Sequence, residues 1–222
     1  MVSRPARIKE PQPATIVREY GPFPEVANVA GVTFDGEAVW FGAGARIQSF
    51  DPESGEPGRA LPLPADAGTA FDGKHLFQIG EGQIRKVDPK TGAVLAILPV
   101  PGGAGGASGL VWAEGTLWVG QAGDRTIKQI DPNTGRVLRT IESDRFVTGV
   151  TFLEGELWHG TGRGDADEPA ELRRVDLETG EVLEQLLMPA GEAISGLESD
   201  GRNTLFCGGG RSGKVRAVRR AR

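Results

Sequence analysis

The 222-residue chain has one cysteine, Cys207, two histidines and a single tyrosine. One cysteine excludes an intrachain disulfide framework. His75 and His159, far apart in the chain, leave no cysteine–histidine spacing for a zinc cluster. No run approaches the ~18 apolar residues of a membrane span, which excludes a membrane-crossing helix. Positive charge is also short: 25 Lys and Arg stand against 30 Asp and Glu, for a net charge of −5. That balance excludes a general phosphate-backbone binder, so nucleic acid is not an expected partner. The opening MVSRPARIKEPQP lacks the apolar stretch of a secretory signal. The expectation is a cytoplasmic protein, with residues 1–12 a disordered lead and 13–222 one domain. Glycine and proline, by contrast, are abundant, at 34 and 15. Helices do not tolerate that density, since each interior Gly costs about 1 kcal/mol and each Pro about 3. An all-β, turn-rich chain is the reading that remains.

The chain repeats itself. Similar units begin at Gly31, Gly68, Gly109, Gly149 and Gly196, spaced 37, 41, 40 and 47 residues apart. Each opens on a short apolar run and a turn such as Asp35-Gly36 or Glu114-Gly115, where Gly accepts positive φ. A second run carries an aromatic: Trp40, Phe77, Trp118, Trp158 or Phe206. After a loop comes an alternating third run, then a turn such as Asp88-Pro-Lys-Thr-Gly92, then a fourth run. Four short antiparallel strands per ~40 residues is the signature of a propeller blade. The fifth unit stops after three runs, while an orphan run, Ala14 to Tyr20, precedes the first. Five four-stranded blades follow, with the N-terminal strand completing the last one and removing two open sheet edges. A strand swapped to a neighbouring copy is the alternative; a monomer is the expectation.

This topology sorts residues by face. Connections between blades, and between second and third strands, gather on one face, termed the mouth. It should collect the residues before each leading glycine, namely Asn28, Asp66, Ser108, Thr148 and Ser195, and the ends of the second strands, with Gln78, Gln121 and His159 among them. Blade four has the longest such loop, Gly160 to Ala170, carrying Arg163, Asp165, Asp167 and Glu168. His159 stands where other blades have neutral residues, and it reads either as an acid–base group or as a packed imidazole. Glu198 occupies an inner-strand position held elsewhere by Thr33, Ala70, Val111 and Thr151. A carboxyl there needs a partner, and Arg145 or His159 is the expected one. An acid–base pair and a structural ion pair both fit. Trp158 belongs to inter-blade packing and borders the same region; Cys207 reads as a core thiol.

The unit GLVWAEGTLWVGQAGDRTIKQIDPNTGRVL, residues 109–138, carries a family resemblance that extends over about residues 13–220. It resembles small bacterial five-bladed propellers related to glutaminyl cyclotransferases and, more loosely, streptogramin B lyases. Such cyclotransferases carry a Glu just before an inner-strand glycine; this sequence has Ala30, Ala67, Ser108, Thr148 and Ser195 there. The lyase resemblance implies a His, a carboxylate and a magnesium ion. The resulting expectation is a small-molecule enzyme of lyase or cyclotransferase type at the mouth. His159 and Glu198 would be catalytic. Arg145 and Arg163 would hold an anionic group, and Gln78, Gln121, Thr148, Ser195 and Trp158 would line the substrate. A divalent cation, Mg or Ca, in the channel is an open cofactor expectation. A ligand- or protein-binding propeller without catalysis is the alternative.

Overall fold

A computed structural model describes residues 10–103, 106–162 and 168–220. All its named elements are β-strands, and they form five sheets set as a propeller. Blade one runs Val32–Phe34, Val39–Gly42, Ile47–Phe50, Pro57–Leu61 from axis to rim. Blade two runs Thr69–Phe71, Leu76–Gly80, Gln83–Val87, Val94–Pro99, and blade three Ala107–Ala113, Thr116–Gln121, Thr126–Ile130, Val137–Glu142. Blade four runs Val147–Leu153, Glu156–Thr161, Glu171–Val175, Val182–Leu187. Blade five takes Gly196–Ser199, Thr204–Gly208 and Val215–Arg219 from the C-terminal end, and its outer strand is Thr15–Tyr20. That strand pairs antiparallel with Val215–Arg219, Tyr20 facing Val215 and Thr15 facing Arg219. The ring therefore closes as its repeats imply. Gln12, placed by the sequence in the lead, joins the fold: Gln12–Pro13 run parallel to Leu186–Leu187 and cover the outer edge of blade four.

Each pair of neighbouring blades encloses one of five apolar clusters. This follows from the period of two in a strand, since both faces of a blade are buried against neighbours. Aromatic residues near the ends of the inner strands pack against the second-strand aromatic of the preceding blade. Trp112 lies 5.6 Å from Phe77, Phe152 5.1 Å from Trp118, and Phe34 5.8 Å from Phe206. Blade five breaks the rule with Ser199, and Trp158 is instead covered by the guanidinium of Arg220, 5.3 Å from its ring centroid.

The hairpins solve their turns in two ways. Asp35 accepts from the backbone N–H of Glu37 and Ala38, an aspartate-braced turn repeated at Asp72 and Asp200. Glu114-Gly115 and Glu154-Gly155 have positive φ at both residues, 52° and 74° in the first and 54° and 78° in the second. That is the geometry for which Asn-Gly is preferred, because Asn tolerates the left-handed region better than Glu. Glu114→Asn is therefore expected to stabilise the protein by about 0.5–1 kcal/mol, read as a raised urea midpoint with unchanged slope.

The leading glycines decide the shape of the axis. A Cβ on Gly31 would sit 2.3 Å from Thr69 N, and one on Gly68 2.4 Å from Leu110 N. The contacts continue from Gly109 to Val150 N at 2.8 Å, from Gly149 to Leu197 N at 2.6 Å, and from Gly196 to Ala30 O at 2.6 Å. Five backbones thus touch in cyclic order, and the glycines form a ring that pinches the channel. Residues before each glycine lie on the mouth side of this ring; residues after it lie on the side of the Asp-Gly hairpins.

Candidate functional site

On the mouth side, Asn28, Asp66, Ser108, Thr148 and Ser195 line one cavity of about 280 Å³. A second cavity of about 240 Å³ adjoins it between blades two and three and shares Asp66, Ala67 and Ala107. The hydroxyls here are largely spent on closing the ring. Ser108 donates to Val147 O of blade four; Ser195 donates to Val29 O of blade one and accepts from Gly210 N. Thr148 is the exception, its buried Oγ1 having no partner. Asp66, exposed at the rim, accepts from Glu81 N.

The glutamines are structural in their contacts. Gln78 Nε2 donates to the carbonyls of Ala67, Gly68 and Ile79, while its Oε1 accepts from Thr69 Oγ1 at 2.7 Å. Gln121 Nε2 donates to Pro101 O at 2.7 Å. Arg145 is neutralised rather than free: Glu171 lies at 2.6 Å and Glu168 at 3.0 Å. Glu171 also receives Arg173 Nε at 2.6 Å and Gln185 Nε2 at 3.2 Å, and Arg173 in turn pairs with Asp144. The result is a closed network of two arginines and three carboxylates on blade four. Arg163, with Asp165 and Asp167, lies outside the described residues.

His159 and Glu198 are not brought together. His159 pairs in register with Val150 and Arg173, on the strand face it shares with Leu157, which packs toward blade three. It is 1% exposed, and its Nδ1 lies 3.2 Å from Gly160 O. Burial drops its pKa from 6.5 to about 4, so the ring stays neutral. Trp158, on the opposite strand face, packs against blade five with Leu197, its Nε1 unpartnered.

Glu198 lies beyond the glycine ring, in the layer of Thr33, Ala70, Val111 and Thr151. Thr33 Oγ1 of blade one donates to Oε2 at 2.8 Å, and Thr151 Oγ1 of blade four donates to Oε1 at 2.6 Å. Ser199 N donates to Oε1 at 2.8 Å. The partners are thus two hydroxyls and an amide from both neighbouring blades and its own, in place of the expected Arg145 or His159. Burial nevertheless raises the carboxyl from 4.5 to about 7, against the opposing pull of those donors. Glu198 keeps 8% exposure, whereas Thr33 and Thr151 have none. Among the described residues, no cluster of three or more His, Cys, Asp or Glu is placed to hold a metal. Cys207 is a buried free thiol pushed up to about 12 by burial, which makes it an inert core residue.

Comparison with known proteins accords with this architecture. A family model described as a repeat of unknown function (DUF6923) matches residues 64–196. No curated protein sequence matches the chain. Among solved structures, the glutaminyl cyclase of Myxococcus xanthus is similar with a TM-score of 0.75 and 18% identity, over 95% of this chain and 98% of that one. Likeness at that identity establishes the five-bladed fold and leaves the chemistry to the residues.

Proposed function

The chain belongs to the DUF6923 repeat family, and we propose that it is a small-molecule enzyme performing proton transfer through Glu198. The observation that carries this reading is the lone inner-strand carboxyl, held by Thr33, Thr151 and Ser199 N and poised at about 7. Such a group accepts and returns a proton with little driving force lost near neutral pH. In a cyclisation, its carboxylate takes the proton from the attacking nitrogen and returns it to the departing one. In an elimination, it takes the proton from carbon and returns it to the leaving group. A lyase or cyclotransferase-type reaction is accordingly the proposed class, in keeping with the structural likeness to the glutaminyl cyclase of Myxococcus xanthus. His159 is neutral and faces away from Glu198, so its proposed part is to support the blade-four network rather than to exchange protons with substrate. The reading takes the protein as a cytoplasmic monomer with a small-molecule partner.

The test is the titration of the labelled Glu198 carboxyl by carbon NMR. A midpoint near 7 and a loss of turnover of about 10²-fold or more in Glu198→Gln are expected. A midpoint in the ordinary carboxylate range would remove the basis of the proposal. The cavity at the mouth favours a second reading, a non-catalytic binding module. A ligand retained equally by the native protein and Glu198→Gln, with no turnover in either, is its signature.

A further inference from the structure

We propose that the outer edge of blade two is a docking site for a partner protein, which it takes as an extended, uncharged segment added to the blade as a fifth strand. An outer strand ends its sheet, and its free N–H and C=O groups template further pairing unless something guards them. The five outer strands are guarded unequally. Blade one carries Arg59, blade three Arg139 and Glu142, and blade five Arg18 and Glu19. Blade four carries Glu184 and is also covered by Gln12–Pro13. Val94–Pro99 of blade two alone has no charged residue, and no strand among the described residues lies on its outer side. A bulge interrupts the outer pairing in every blade, so it does not set blade two apart.

The chain itself shows what such an edge accepts. Gln12–Pro13, uncharged and extended, pairs parallel with Leu186–Leu187, and Ala14 N donates to Leu187 O at 2.8 Å. The registers of blades four and two align Leu187 with Pro99. Val182 faces Val175 as Val94 faces Val87, and Leu187 faces Glu171 as Pro99 faces Gln83. Proline has no N–H, so the same ladder cannot form there. Ile97, two residues earlier, presents its backbone to the same side by strand alternation and has both groups. An added strand on blade two therefore centres on Ile97.

The side chains select an apolar, neutral occupant. Val94, Leu95 and Ile97 are 45%, 52% and 55% exposed, whereas Leu98 turns inward to the core. A strand laid on this edge sets its side chains beside these. An apolar residue there gains contact, while a charge would lose water and find no opposite charge on the strand. The apolar rim continues onto blade three. Gly135, in the turn of that blade, packs on Pro99, and the strand leaving the turn opens on Val137 and Leu138, both exposed. The body of a protein whose strand docks on blade two thus meets an apolar shoulder on blade three.

The probe is a blocked pentapeptide alternating threonine and valine, titrated into the full chain and followed by heteronuclear NMR. Saturable binding with a Kd of about 1 mM or tighter is expected, with amide shifts at Leu95–Leu98 and slowed exchange of the Ile97 N–H. A central proline in the peptide should weaken binding about tenfold, and so should Ile97→Lys in the protein; Ile97→Val should preserve it. An unchanged melting temperature shows that Ile97→Lys leaves the fold intact. Absence of saturable binding, equal affinity for the proline peptide, or no effect of Ile97→Lys would each overturn the docking edge. Shifts centred on the mouth or on blade four would do the same. Concentration-dependent broadening at Val94–Leu98 without peptide would also overturn it, by marking a second copy of the chain as the occupant.

Discussion

Glu198→Gln is expected to stabilise the protein at pH 8 by up to about 3 kcal/mol, roughly 10 °C in melting temperature, while doing little at pH 4.5. The folded protein holds the Glu198 proton more tightly than the unfolded chain, with a pKa near 7 against 4.5. The stabilisation linked to that proton is full below 4.5 and disappears as pH rises through 7. Above 7 the native state carries a desolvated carboxylate. Glutamine keeps an oxygen for one threonine and an amide that can donate to the other, and it carries no charge to desolvate. His159 acts in the opposite sense. Its folded pKa of about 4 lies below 6.5, so its contribution is full above 6.5 and is lost as pH falls toward 4. The two slopes oppose one another between 4.5 and 6.5, and the native protein should show a nearly flat melting temperature there. In Glu198→Gln that interval should slope upward with pH; in His159→Gln it should slope downward. Thermal melts at half-unit pH steps read all three curves. A Glu198→Gln profile parallel to the native one would refute the assignment of the raised carboxyl. Stabilisation together with lost turnover is the pattern of a functional site maintained against stability.

Gly149→Ala is expected to destabilise by about 3 kcal/mol or more, far beyond the helix- or strand-propensity gain of alanine. Its Cβ would lie 2.6 Å from Leu197 N, 2.7 Å from Gly196 C and 2.8 Å from Leu197 Cβ. Two of these are backbone atoms of the next blade, which cannot rotate away as a side chain can. Relief requires blades four and five to separate, and in a closed ring that displacement is passed to the other blades. Gly123→Ala is the control, because nothing lies within 4 Å of its Cβ and its φ is not positive. Urea unfolding should show a large loss for Gly149→Ala and a change within about 0.5 kcal/mol for Gly123→Ala. Equal losses would mean that the glycine ring does not set the closeness of the blades.

Much of the architecture was legible in the linear chain because its causes are local. The period of two along each strand sets which residues face a neighbouring blade. The Asp-Pro-x-Thr-Gly turns carry their own hydrogen bonds, as in Asp88, which accepts from Lys90 N and Thr91 N. The missing fourth strand of blade five and the orphan strand Thr15–Tyr20 implied each other. The grouping of Asn28, Asp66, Ser108, Thr148 and Ser195 at one mouth follows from the same repeat, since each precedes its glycine by one to three residues.

The site was legible only in part. Glu198 stood out as a carboxyl among Thr, Ala and Val, but its partners did not. Thr33 lies 165 residues away and Thr151 lies 47 away, and only ring closure sets them against one carboxyl. His159 stood out equally, yet strand alternation turns it toward blade three, a consequence of register that single positions do not display. The glycine ring, which divides the mouth from the layer of Glu198, depends on how closely five backbones approach.

By itself the sequence determined five blades, their strand order, the closing strand and the anomaly at Glu198, all products of short-range periodicity and turn chemistry. Tertiary structure decided what each polar group meets: Arg145 two carboxylates, and Glu198 two hydroxyls and an amide. Those pairings arise from blade-to-blade packing, where residues distant in the chain come within hydrogen-bonding range.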